Sequence, residues 1–144
     1  MRTVAEILAG KNNPAVLSVA SGDTVLHALR QMAERGVGAL PVVDDGKLVG
    51  IFSERDYARK IALMERSSAT TPVRDIMTAN VITVSPSDRT THCMELMTDK
   101  RIRHLPVLDN GKLVGMVSIG DLVKNIMADQ EKLIRQLESY IRGH

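Results

Sequence analysis

Apolar positions along the chain keep two different periods. Two short apolar runs, Leu40-Pro-Val-Val43 and Leu48-Val-Gly-Ile-Phe52, are separated by Asp44-Asp-Gly-Lys47. An Asp-Gly pair between apolar runs predicts a β-hairpin, because both central residues of a type I′ turn need positive φ. The same pattern recurs at Leu105–Leu108 and Leu113–Val117 around Asn110-Gly111. Upstream of the first hairpin, Val25, Leu29, Met32 and Ala33 fall at helical spacing. They predict an amphipathic helix opened by the polar cluster Ser21-Gly-Asp23, with a counterpart opened by Ser87-Asp88. Short strands are expected over 16–19 and 81–84, each after a short helical piece. A last helix is expected after Ser53 and again after Ser118. The predicted order is β-α-β-β-α, twice.

The duplication is visible residue by residue. Leu40–Tyr57 aligns without gaps on Leu105–Leu122 at an offset of 65, with 11 of 18 positions identical. Val19/Val84, Asp23/Asp88 and Met32/Met97 keep that offset, whereas Val4–Leu8 resembles Val73–Met77 at an offset of 69. The change falls in the loop containing Gly10 to Pro14, where insertions cost little. The reading is a first repeat over 1–66, a Ser/Thr-rich linker over 67–72 ending at Pro72, a second repeat over 73–128 and a helical extension over 129–144. Two repeats are too few for a solenoid, and a half of this size is marginal alone. A closed pair about a pseudo-twofold is expected. In the extension, Ile126, Leu133, Leu137, Tyr140 and Ile141 form a stripe of near-heptad steps interrupted by Gln130. It can pack back on its own domain or meet a second copy. A terminal helix has little of its own domain left to cover, which favours a homodimer.

Composition narrows the function. The chain has 144 residues, 44% hydrophobic and 25% charged, as in an ordinary globular domain. No apolar run approaches the roughly 18 residues of a membrane span, so no membrane partner is expected. Met1 to Ala9 does not read as a signal peptide, and Cys93 stands alone, so the expected location is cytoplasmic. A net charge of +2 and only three aromatic residues, Phe52, Tyr57 and Tyr140, argue against nucleic acid, whose single strands stack on aromatic platforms. A bound base would lie between aliphatic side chains.

The candidate chemistry is Gly-x-x-Ser-x-x-Asp, present as Gly50–Asp56 and Gly115–Asp121. Glycine in a strand permits close approach. The Ser opens a helix, and the Asp falls one turn on, on the same face, where a carboxylate could accept both hydroxyls of a ribose. The same spacing resembles a helix capping box, and pattern alone favours capping. A Ser can cap and still leave the Asp available. Arg101-Ile-Arg-His-Leu-Pro106 precedes the middle strand of the second repeat, opposite Gly36-Val-Gly-Ala-Leu-Pro41 in the first. Its cations, with Arg55, Arg59 and Lys60, suit phosphates or form a solvated charge run. Cys93 sits in an amphipathic helix and reads as a small core residue, the four histidines lack metal-ligand spacing, and no Walker or Rossmann loop occurs. An enzyme is not expected.

The doubled unit, the Leu-Pro-Val-Val/Leu-Asp hairpins and the closing Gly-x-x-Ser-x-x-Asp resemble tandem cystathionine-β-synthase-type (CBS) domains, a Bateman module, over Val4 to Met127. The resemblance implies an α/β (α+β) fold of two CBS repeats with two mixed clefts that take AMP, ADP, ATP, S-adenosylmethionine or NAD(H). It implies a regulatory role exerted on an unknown effector protein, with no catalytic cofactor. By resemblance, one cleft uses Ser53 and Asp56 for ribose and phosphate, Ile82, Thr83 and Ile102 around the base, and Arg103 and His104 near the phosphate, with Arg55 and Pro106 as further candidates. The other uses Ser118, Asp121 and Met116 with Ser18, Val37, Gly38, Ala39 and Pro41. The first is richer in cations and should prefer the more phosphorylated ligand. The resemblance tips Asp56 and Asp121 towards ribose contact. The alternative is a constitutive interaction scaffold with vestigial clefts.

Overall fold

The computed structural model describes residues 2–11 and 16–143. Part of the loop where the repeat offset changes, and His144, lie outside them. The element order is α1 (Val4–Ala9), α2 (Val25–Arg35), β1 (Ala39–Asp44), β2 (Lys47–Ser53), α3 (Glu54–Asp56), α4 (Thr90–Lys100), β3 (His104–Asp109), β4 (Lys112–Ser118) and α5 (Ile119–Ile141). A π-helical stretch, Tyr57–Ala62, continues α3, and a 3₁₀ turn, Val73–Asp75, follows the linker.

Each hairpin is an antiparallel pair, β1 on β2 and β3 on β4, with a bulge after Val42 and after Val107. Asp45 and Gly46 have φ of 50° and 77°, and Asn110 and Gly111 have 52° and 79°, which is the turn the dipeptides dictate. The strands expected over 16–19 and 81–84 shrink to single parallel bridges, Val19 to Val42 and Val84 to Val107. Thr24, not the Ser21-Gly-Asp23 cluster, caps α2, its side chain accepting from the His27 amide. Within α2 the buried face is Val25, Ala28 and Met32, while Ala33 is exposed. Cys93 is fully buried in the core, where burial pushes its thiol pKa up and keeps it unreactive.

The packing units are not the sequence units. Val73 and Ile76, which open the second repeat, sit in the core of the first with Leu40, Val42 and Phe52. Val4 and Ile7 of α1 sit in the core of the second with Val84, Leu105 and Val117. The repeats exchange their leading segments, and the strand glycines make room for this. A Cβ on Gly50 would lie 2.5 Å from Met77 Sδ, and one on Gly115 2.7 Å from Leu8 Cδ2. Strands β2 and β4 meet at the seam.

Helix α5 leaves the body. Leu122 is buried, and Arg2 holds the first turns through Asn125 (2.6 Å) and Asp129 (2.9 Å). The apolar stripe stands in solvent, from 37% exposure at Ile126 to 82% at Tyr140. It does not pack back on its own domain.

Candidate functional site

A cavity of about 690 Å³ opens at the seam between the repeats, within the roughly 300–1,000 Å³ usual for small-molecule sites. Its apolar wall is Ile51, Val81, Ile82, Ile102 and Pro106. Ser53, Asp56, Thr78 and Asn80 supply polar groups. Around them stand Arg55, Arg59, Lys60, Lys100, Arg101 and Arg103, six cations against the carboxylates of Glu54 and Asp56. A second hollow of about 290 Å³ continues past Arg55, Arg101 and Arg103 to Met97, Thr98 and Ile119.

Ser53 and Asp56 form a capping box. The Asp56 amide donates to Ser53 Oγ at 3.2 Å, and Asp56 Oδ2 accepts from the Ser53 amide at 3.0 Å and its hydroxyl at 3.1 Å. Asp56 Oδ1 accepts from the Thr78 hydroxyl at 3.2 Å and stands 3.8 Å from Lys60 Nζ. Asp56 is only 8% exposed. A carboxylate offers about four lone-pair sites, so capping leaves acceptor capacity on Oδ1. The helix amides are less available. The Glu54 amide donates to Gly38 O at 3.0 Å, and its counterpart, the Ile119 amide, to Arg103 O at 2.8 Å. The cavity's cationic groups are therefore side chains.

Of the residues expected in the first cleft, Ser53, Arg55, Asp56, Ile82, Ile102, Arg103, His104 and Pro106 line the cavity, and Thr83 does not. Gly38, expected in the other cleft, lines this one, and a Cβ there would lie 3.4 Å from the His104 ring. Sequence reasoning missed Thr78, Asn80, Val81 and Lys100. The repeat gave no signal for Thr78 and Asn80, since their equivalents at the offset of 69, Ala9 and Lys11, carry no motif.

The equivalent motif of the second repeat is built differently. Ser118 and Asp121 repeat the capping box. Asp121 Oδ2 accepts from the Ser118 amide at 3.0 Å and from Lys11 Nζ at 2.9 Å. The same ammonium donates to the Met116 carbonyl at 2.8 Å. Ala39 and Pro41 are buried in β1, whereas Ser18 and Val37 are exposed. Burial pushes the Asp121 pKa up, but the donors Lys11 and Ser118 outweigh it and hold it below the ordinary carboxylate value. His104 lines the first cavity and lies within electrostatic reach of both Glu54 and Asp121. Burial lowers its pKa against the pull of Glu54 and Asp121, with Lys11 and Arg103 acting in the same direction as burial.

Two hairpin repeats with exchanged leading segments and a cationic cleft at their seam define a paired-repeat module. The CBS domain pattern matches residues 4–63 and 73–128, and the chain belongs to the CBS-domain family. It is 42% identical over 149 residues to the mitochondrial CBS domain-containing protein CBSX3 of Arabidopsis thaliana, covering 98% of this chain and 72% of that one. A protein with CBS domains from Burkholderia ambifaria MC40-6 superimposes with a TM-score of 0.85 at 55% identity, covering 89% of this chain and 96% of that one. The CBS domain pair of protein MJ0100, solved with 5′-methylthioadenosine and S-adenosyl-L-methionine, superimposes with a TM-score of 0.78 at 27% identity, covering 90% and 98%. CBS pairs of this kind are regulatory modules.

Proposed function

We propose that the chain is a non-catalytic sensor that binds a phosphorylated adenosine ligand (AMP, ADP, ATP or NAD(H)) at the Ser53–Asp56 cleft and acts in trans on an effector protein. The observation that carries this reading is the joining of an aliphatic wall to six cations around one nucleotide-sized cavity. Aliphatic side chains can sandwich a base, Asp56 can accept a ribose hydroxyl, and guanidinium forks match phosphate oxygens. The MJ0100 pair, with its two adenosine compounds, supports the adenosine part. Neither of those ligands carries phosphate, and the cation excess here favours ATP over ADP over AMP, and all three over S-adenosylmethionine. The chain works in the cytoplasm without nucleic acid or membrane, and pairs with a second copy through the exposed stripe of α5.

Calorimetric titration of protein freed of bound ligand, with AMP, ADP, ATP, NAD, NADH, S-adenosylmethionine and GTP, tests the reading. Saturable binding that strengthens with phosphate number and weakens about tenfold or more in Asp56→Ala is expected, because a hydrogen bond to a charged group contributes about 1.5–3 kcal/mol. Unchanged affinity in Asp56→Ala removes Asp56 from the ribose site.

One observation favours a second reading, a constitutive interaction scaffold. Both oxygens of Asp56 already accept hydrogen bonds from Ser53 and Thr78, as a purely structural carboxylate would. That reading expects no heat from any nucleotide, and partner binding that Asp56→Ala and Asp121→Ala leave unchanged.

A further inference from the structure

The two clefts of a duplicated chain should offer a ligand the same acceptor, and here they do not. In the first, Asp56 Oδ1 accepts from a neutral hydroxyl, that of Thr78, and the nearest ammonium, Lys60 Nζ, stands back at 3.8 Å. In the second, Lys11 Nζ lies on Asp121 Oδ2 at 2.9 Å and also donates to the Met116 carbonyl at 2.8 Å. At the offset of 69 that holds for the leading segments, Lys11 falls on Asn80, which lines the first cavity and carries no charge. The asymmetry therefore includes a lysine in the place of a neutral side chain, alongside Ala9 in the place of Thr78. The Lys11–Asp121 pair is partly shielded, with side-chain exposures of 33% and 24%, so water screens it less than a surface pair.

We propose that Lys11 is a tethered cation that occupies the Asp121 acceptor of the second cleft, so that the chain binds one adenosine ligand tightly and a second only by displacing Lys11. This rests on the nucleotide-sensor reading of the first cleft. A ribose that takes both oxygens of Asp121 must replace the charge-assisted hydrogen bond that Oδ2 already accepts within the chain. Because the lysine is part of the same molecule, it competes at every ligand concentration. A ligand without phosphate offers the displaced ammonium nothing in return, which makes adenosine the sharpest probe.

Titrate the wild-type protein, Lys11→Met and Lys11→Met/Asp121→Asn with adenosine, and each with ATP as a report on the first cleft. Lys11→Met should leave ATP binding at the first cleft unchanged. It should bring out a second adenosine event about tenfold tighter than in the wild type, the worth of one charge-assisted hydrogen bond. Asp121→Asn on that background should abolish the gain. Equal urea midpoints for the wild type and Lys11→Met confirm that the fold is intact, and Lys11→Gln serves as the second variant if they differ. Intact ATP binding with no gain for adenosine overturns the role of Lys11 alone. A gain that survives Asp121→Asn overturns the assignment of the acceptor. Absence of ATP binding from all three proteins overturns the sensor reading, and this inference with it.

Discussion

Arg101 closes α4 in the left-handed conformation that Gly36, its repeat equivalent, adopts at the end of α2. The two caps have φ/ψ of 54°/44° and 65°/35°, and each donates its amide to the equivalent methionine carbonyl, of Met97 or Met32. Gly36 adopts this backbone without penalty, while a side chain at the same angles costs roughly 1 kcal/mol. The Arg101 carbonyl accepts from Arg55 Nη1 at 3.0 Å, and the residue lines both hollows. The first repeat keeps the relaxed cap; the second gives it up and gains a cation at the cleft.

Arg101→Gly should therefore raise stability by about 1 kcal/mol while weakening ATP binding more than adenosine binding. Urea denaturation and calorimetry on the same preparation read both effects. A variant that loses stability would show that the Arg101 side chain contributes more to folding than its backbone angle costs.

His104 sets a proton linkage. Its folded pKa lies below the usual imidazole value, chiefly through burial, so the folded state favours the neutral ring. That contribution to stability is complete above the unfolded pKa of about 6.5, and is lost as pH falls from there through the folded value. A polyphosphate placed beside His104, Arg103 and Lys100 would raise the ring's pKa again. ATP binding near pH 6 should then take up more protons in the wild type than in His104→Gln. Titrations in buffers of different ionisation enthalpy measure the difference, and identical uptake in the two proteins would put the phosphates away from His104.

Gly115→Ala should cost about 1–3 kcal/mol by overpacking, because its Cβ would meet three carbons of the Leu8 side chain and no other group nearer. The cost should shrink markedly on a Leu8→Ala background. Gly50→Ala should be relieved less by Met77→Ala, since the Thr78 carbonyl also stands 3.1 Å from its new Cβ. Double-mutant cycles from urea midpoints give both couplings.

If α5 pairs two chains, Leu133→Asp/Leu137→Asp should give one-chain particles in sedimentation equilibrium where the wild type gives two. The variant's urea midpoint at low concentration should be unchanged, because neither side chain is buried in its own chain. A wild type that sediments as one chain would remove the second copy as the partner of this stripe.

The hairpins were fully legible in the sequence, because Asp45-Gly46 and Asn110-Gly111 specify positive φ locally. Most of the cationic cleft was legible too, once Gly50–Asp56 and Arg101–Pro106 could be set side by side by the repeat. The lost strands were not. Val19 and Val84 each make only one bridge, and an apolar residue before a turn looks the same whether one rung or four follow. The cap of α2 was displaced for a related reason. Asp23 is engaged by the Ala20 amide at 2.9 Å, which leaves the N-terminus of the helix to Thr24. Lys11 was silent because its importance lies in a partner 110 residues away, and periodicity carries no information about such a pairing.

The exchanged leading segments govern how the chain can be made and cut. During synthesis the Val4–Ala9 helix emerges long before the strands it will cover, and the first repeat lacks Val73 and Ile76 until the linker has left the ribosome. Neither half can finish folding on its own, so the two should melt in a single transition. A protein divided at the linker would yield two fragments, each carrying the other's missing piece.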